Sequence, residues 1–129
     1  ETDDDPDSAQ QRRAENLFNR GQLDDAAVTG AAENGQREFV VSALSLSAKL
    51  STETVRRVLD SHAGKAVAAL CWKADFAALT AMAVQRHIAD VPEQTLVVDG
   101  GGNTYPLAES EMTWFLDYFE NGDADVVSL

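Results

Sequence analysis

The stretch "SHAGKAVAALCWKADF", residues 61–76, brings His62, Lys65, Cys71, Trp72 and Asp75 into one short run. A histidine followed three residues later by a lysine is the spacing used in histidine phosphotransfer, where a solvated imidazole on a helix accepts the phosphoryl group beside a cation. That pattern also needs an apolar residue two positions after the histidine and a glycine four after it, whereas Gly64 and Ala66 stand there. Gly64 is expected to end the helix that carries His62, so His62 and Lys65 would not share a face. A histidine at a helix C-terminus is explained by the helix dipole alone. Phosphotransfer through His62 is therefore the alternative reading, and the structural one is preferred.

The other reactive letters point to structure as well. Cys71 would need a base and a lowered pKa to act as a nucleophile, yet Val67 and Leu70 are its neighbours on the helix, so a buried free thiol is expected. His62, Cys71 and His87 do not pair at metal-ligand spacing, and neither a metal nor any other cofactor is expected. Asp24 with Asp25, and Glu53 with Asp60, could be drawn as acid and base, but acids so placed on helices belong to solvated faces. "DGGGN" at 99–103 lacks both a following helix start and the Lys-Ser/Thr of a phosphate loop, and reads as a turn needing positive φ. No residue is assigned a catalytic role, and the chain is read as a non-enzyme. Trp72, Trp114 and Tyr118 differ in falling off their helices' main apolar stripes. Either a second layer of helices buries them or they form an exposed docking patch, and they are the candidate partner-binding residues.

The elements that must position these residues follow from apolar periodicity and helix stops. Ser8 caps a first helix over about 8–20, stopped by Gly21. A second covers about 23–34 with a thin, small-residue stripe ending at "NG", and a third about 36–49 is apolar on more than one face. Ser51 or Thr52 opens a fourth, in which Val55, Val58, Leu59 and His62 recur at helical spacing. The fifth, about 65–74, is apolar on two sides, and Asp75 is its stop. A sixth spans about 77–90 before Pro92, and a seventh about 108–120, with Glu109 and Glu111 at its positive dipole end, stops at "NG". Leu96–Val98 and Tyr105–Leu107 flank the glycines as a small irregular loop or short two-stranded ribbon.

Helices three and five, apolar on two sides, belong between layers. Residues 23–50 and 50–76 can also be laid on one another, Leu23 on Leu50 and Val40 on Val67, as two helix–turn–helix units. The expected fold is all-α: about seven helices stacked as antiparallel hairpins, in one domain over 8–121. An acidic disordered leader (1–7) precedes it and a flexible tail (122–129) follows.

Length and charge narrow the partners. At 129 residues and 44% hydrophobic content the chain can form a core without disulfides or metals. Its 22 acidic against 10 basic residues, with the basic ones scattered, would repel phosphate backbones and anionic lipids. Nucleic acid and membrane are not expected partners, and a protein with a basic surface is. One cysteine and no signal pattern fit a reducing cytoplasm, and the start at "ETDDDPD" fits a piece of a longer chain.

The phrases "FVVSAL", "VRRVLDSHAGKAV", "ALCWKADF" and "EMTWFLDYF" together carry a resemblance over about residues 20–120. The chain resembles the C-terminal region of a family of bacterial proteins of unknown function, built from short helical repeats similar to HEAT hairpins. Where such proteins usually carry a glycine and then a capping serine after the Trp-Lys-Ala segment, this chain has Asp75 and Ala77. The resemblance implies a short HEAT-like solenoid and supplies no activity. The expected function is a protein-interaction or scaffolding module.

Overall fold

Six successive helices end in a residue of left-handed backbone: Gly21, Gly35, Lys49, His62, Asp75 and Asp90, each 13 to 15 positions after the last, with φ between 52° and 70°. A left-handed residue turns the chain back so that the next N–H can reach the last free carbonyls of the helix. That closure recurs, with Gln22 N donating to Leu17 O (2.8 Å), Gln36 N to Ala31 O (2.9 Å), Leu50 N to Ser45 O (3.2 Å) and Phe76 N to Cys71 O (3.0 Å). Between these stops the computed structural model, which describes residues 6–97 and 105–128, has seven α-helices and no strand among the described residues. They are α1 (Pro6–Asn19), α2 (Asp25–Glu33), α3 (Arg37–Ala48), α4 (Thr52–Asp60), α5 (Gly64–Lys73), α6 (Ala78–His87) and α7 (Glu109–Ser128), with a 3-10 turn at Glu93–Thr95. Among the described residues no helix is long and apolar enough to cross a membrane.

Only two of the six stops are glycine, and the left-handed region costs other residues about 1–2 kcal/mol. Lys49 is exposed at its stop. We expect Lys49→Gly to stabilise the fold by about 0.5–1 kcal/mol after the extra freedom of the unfolded glycine is subtracted. Thermal unfolding checks this, and an unchanged or lowered Tm would contradict it.

Helix starts repeat as well. The starts of α2 and α4, and of α3 and α5, are both 27 positions apart (25 to 52, 37 to 64). The caps match: Asp24 accepts a hydrogen bond from Ala27 N at 3.0 Å, and Ser51 from Thr54 N at 3.1 Å. At the start of α6 the corresponding residue is Ala77, which has no capping atom. Asp25 of α2 substitutes for it from across the fold, its Oδ1 accepting from Ala77 N (2.9 Å) and from Thr80 Oγ1 (2.7 Å).

α3 and α5 occupy the centre. Phe39–Leu44 and Ala66–Cys71 are buried without interruption, because α3 packs against α1, α2, α4 and α5 while α5 packs against α3, α4, α6 and α7. α2 also packs on α6 and α4 on α7, which closes the stacked hairpins on either side of the central pair. Small side chains such as Ala31, Ala32, Ala66, Ala69 and Ala81 at these crossings let the backbones approach closely.

A half-buried ion pair joins α3 to α4: Arg56 grips Glu38 through two hydrogen bonds of 2.8 and 2.7 Å, and Gln11 of α1 donates to the same carboxylate at 3.1 Å. The Arg56 bonds hold the Glu38 carboxyl below its ordinary pKa, against the opposing push of partial burial. A lowered folded-state pKa means stabilisation that is present above the ordinary glutamate range, near about 4.3, and lost as pH falls through the folded value. Glu38→Gln should therefore cost about 1 kcal/mol at neutral pH, allowing for solvent around Arg56, and progressively less below about pH 4. Urea unfolding of both proteins across that range measures the difference, which should not be constant.

The expected helix boundaries shift at both ends of the chain. α1 begins at Pro6 instead of Ser8, since proline suits the first helical position, where its missing N–H has no partner to lose. α7 passes through Asn121–Gly122, expected to end it, and runs to Ser128, because a glycine inside a helix costs only about 1 kcal/mol. Residues 1–5 of the expected leader, Leu129 of the tail, and "DGGGN" lie outside the described residues.

Candidate functional site

The position of Gly64 organises one side of the molecule. It does not end the helix bearing His62; it opens α5, with the extended segment after the 3-10 turn lying across that first turn. A Cβ on Gly64 would stand 2.5 Å from Thr95 O and 2.8 Å from Gln85 Oε1. Gln85, fully buried on α6, holds that segment as a strand partner would: Val97 N donates to Oε1 at 2.8 Å and Nε2 donates to Val97 O at 2.9 Å. Of the irregular loop or short ribbon expected around Leu96–Val98, the loop is what the described residues show, and as far as Val97 it pairs with one side chain.

His62 also departs from its expected place. α4 ends at Asp60, Ser61 follows as its cap, and His62 takes the left-handed position beyond. Its Nδ1 donates to Ala89 O at 2.6 Å, tying the end of α4 to the end of α6. His62 and Lys65 border one groove of about 640 Å³, together with Gln94, Leu96 and Phe115, although they share no helix. Lys65 Nζ lies 3.4 Å from Glu111 of α7.

A second cavity, of about 490 Å³, is bordered by the start of α2, the end of α5 and the start of α7. Trp72 is half-buried on its wall, so that neither expected alternative describes it fully: it is part of the second packing layer and also faces a cavity. Asp25 from the start of α2, Asp75 from the left-handed turn after α5, and Glu109 from the first turn of α7 border the same space. Tyr105 completes it, its hydroxyl donating to Phe76 O at 2.6 Å. Burial, with the negative charges of Asp25 and Asp75 nearby, pushes the Tyr105 hydroxyl well above its ordinary pKa, so it stays a donor. Cys71 lies behind this wall, fully buried, and burial pushes its thiol up to about 12. It is protonated at neutral pH and has no access to solvent.

Trp114 and Tyr118 project from α7 on the side away from buried Met112 and Leu116, and remain 59% and 53% exposed. Their rings stack 5.7 Å apart at 15°, and each meets the next aromatic, Phe115 or Phe119, edge to face. The structure brings these two candidates together, and Trp72 lies apart from them in the cavity.

The paired acids are engaged in structure. Asp24 caps α2 and Asp25 caps α6, while Glu53 pairs with Arg57 and Asp60 with Arg37, each at 2.7 Å. Among the described residues no group of three or more His, Cys, Asp or Glu side chains is placed to hold a metal. Sequence reasoning singled out Trp72 and missed its surroundings. Asp75 read only as a stop and Asp25 as a solvated acid; the signal for Asp25 was Ala77, a helix start without a capping side chain.

These features define an all-α helical-hairpin domain with an exposed aromatic face on its last helix and two cavities beside α5. The chain belongs to a bacterial family described as "uncharacterised protein conserved in bacteria (DUF2336)", whose profile matches residues 1–111. His62, Trp72, Asp25 and Asp75 lie inside the matched segment, and Trp114 and Tyr118 lie beyond it. No curated protein and no solved structure matches the chain.

Proposed function

We propose that the chain is a non-enzymatic protein-interaction or scaffolding module of the bacterial cytoplasm, a short array of helical hairpins similar to HEAT units. The observation that carries this reading is the stacked, exposed pair Trp114 and Tyr118 on a helix whose opposite side is buried. Both rings keep more than half of their surface in water while resting on Phe115 and Phe119 at their edges, and such side chains are enriched among the anchors of protein interfaces. The formal charge of −12 favours a partner with a basic surface and disfavours nucleic acid and anionic lipid. The phosphotransfer alternative has less support, since His62 stands outside both helices and its Nδ1 is committed to Ala89.

Photocrosslinking in cells from a residue next to Trp114 tests this reading. We expect defined crosslinked partners from the unaltered protein, and their loss in Trp114→Ala and Tyr118→Ala, with thermal stability changed by no more than about 0.5 kcal/mol because both sites are exposed. Crosslinking that is the same in both variants would overturn the assignment.

A further inference from the structure

We propose that the cavity beside Trp72 is a receptor for an arginine side chain of a partner protein. Three carboxylates, Asp25, Asp75 and Glu109, reach its rim from three separate elements, and among the described residues no lysine, arginine or histidine borders it. The wall between them is aromatic, formed by Trp72, Phe76 and Tyr105. Carboxylates around an aromatic wall are the complement of a planar cation, because a guanidinium can accept carboxylate pairing at its edge while its face lies on an indole. An ammonium offers no such plane, which is why arginine is preferred here over lysine. The volume of about 490 Å³ admits the side chain with its stem, within the range of about 300–1,000 Å³ usual for ligand pockets.

Two of the lining side chains are held in place. Asp25 is held by its bonds to Ala77 and Thr80, and Tyr105 by its bond to Phe76 O. A ligand would therefore meet this part of the site preformed, with less free energy lost in ordering it. Asp75 has φ of 69°, a conformation that glycine would adopt at lower cost, in a cavity-lining turn where its carboxylate adds to the negative charge. The proposal deepens the interaction role by naming a side chain that the partner presents. It concerns a different place from the Trp114–Tyr118 face, so either can fail alone.

The test uses the whole chain and two small probes, Nα-acetyl-arginine amide and its neutral isostere Nα-acetyl-citrulline amide, followed by the NMR signal of the Trp72 indole N–H. The arginine probe should shift that signal saturably, with a dissociation constant of about 1–10 mM as befits one side chain without its protein. The citrulline probe should leave it in place. Asp75→Asn, which keeps a residue tolerant of left-handed backbone, and Glu109→Gln should each weaken binding about threefold to fivefold. The wild-type affinity should fall as salt is raised. Equal shifts with both probes, no saturation, or unchanged affinity in both variants would overturn the proposal. A circular dichroism spectrum matching wild type establishes that each variant is folded, and the Trp114 indole signal, staying still throughout, separates this cavity from the exposed face.

Discussion

Replacing Gly64 with alanine is expected to destabilise the protein by about 2–4 kcal/mol, although alanine is the better helix former. Intrinsic propensity alone would favour alanine by up to about 1 kcal/mol. The added methyl, however, would stand 2.5 Å from Thr95 O, a backbone atom, and 2.8 Å from an amide oxygen that is itself fixed by hydrogen bonding. Neither obstacle is the free end of a flexible side chain, so the 95–97 segment has to lift from α5. Lifting it strains or breaks both Val97–Gln85 hydrogen bonds and opens the groove lined by Leu96, Val97 and Phe115. Urea unfolding gives the value directly. A Gly64→Ala protein as stable as wild type would mean that the segment does not press on α5 as described. Combination with Gln85→Ala should cost less than the sum of the two single changes, since each releases the same segment.

Gly64 also marks where the sequence was legible and where it was not. Helix number, order and approximate boundaries could be read because apolar periodicity and stop residues are local signals. The burial of α3 and α5 on two sides could be read because their apolar residues run nearly all round. The glycine itself was misread, because a glycine that ends one helix and a glycine that opens the next against a crossing segment have the same local sequence. Only the position of Thr95, 31 residues on, distinguishes them. His62 was misplaced for a related reason. Its spacing from Val55, Val58 and Leu59 continues the stripe of α4, yet the helix has already closed at Asp60 and the imidazole reaches a carbonyl of the α6 terminus.

The candidate sites divide in the same way. Trp114 and Tyr118 stand one helical turn apart, so their placement off the Met112–Leu116 stripe could be read directly, and the structure keeps both exposed. The carboxylates around Trp72 are a tertiary feature assembled from residues 25, 75 and 109, and no local pattern joins them. Asp25 shows why: one acid at a helix start resembles any other until Ala77, an uncapped start 52 positions away, is placed against it.

Gln85 carries the last expectation. It is fully buried, and its amide satisfies both the N–H and the C=O of Val97. Gln85→Leu fills nearly the same volume but leaves that donor and that acceptor without their partner, at a cost of about 2–4 kcal/mol that should hardly vary with pH. Gln85→Glu separates hydrogen bonding from packing. Its carboxyl can still accept from Val97 N, but when ionised it offers Val97 O a second acceptor in place of a donor, and it carries a buried charge. Both effects raise its pKa in the folded protein above the unfolded value of about 4.3. A raised folded-state pKa means that stability is fully present below the unfolded value and is lost as pH rises through the folded one. Gln85→Glu should therefore approach wild type near pH 4, where the protonated carboxyl can donate to Val97 O, and fall to the level of Gln85→Leu or below at pH 8. Each is to be measured against wild type at the same pH, because the Glu38–Arg56 pair makes the parent itself less stable in acid. If Gln85→Glu and Gln85→Leu lose the same stability at both pH values, the paired hydrogen bonds to Val97 are not what holds the segment over Gly64.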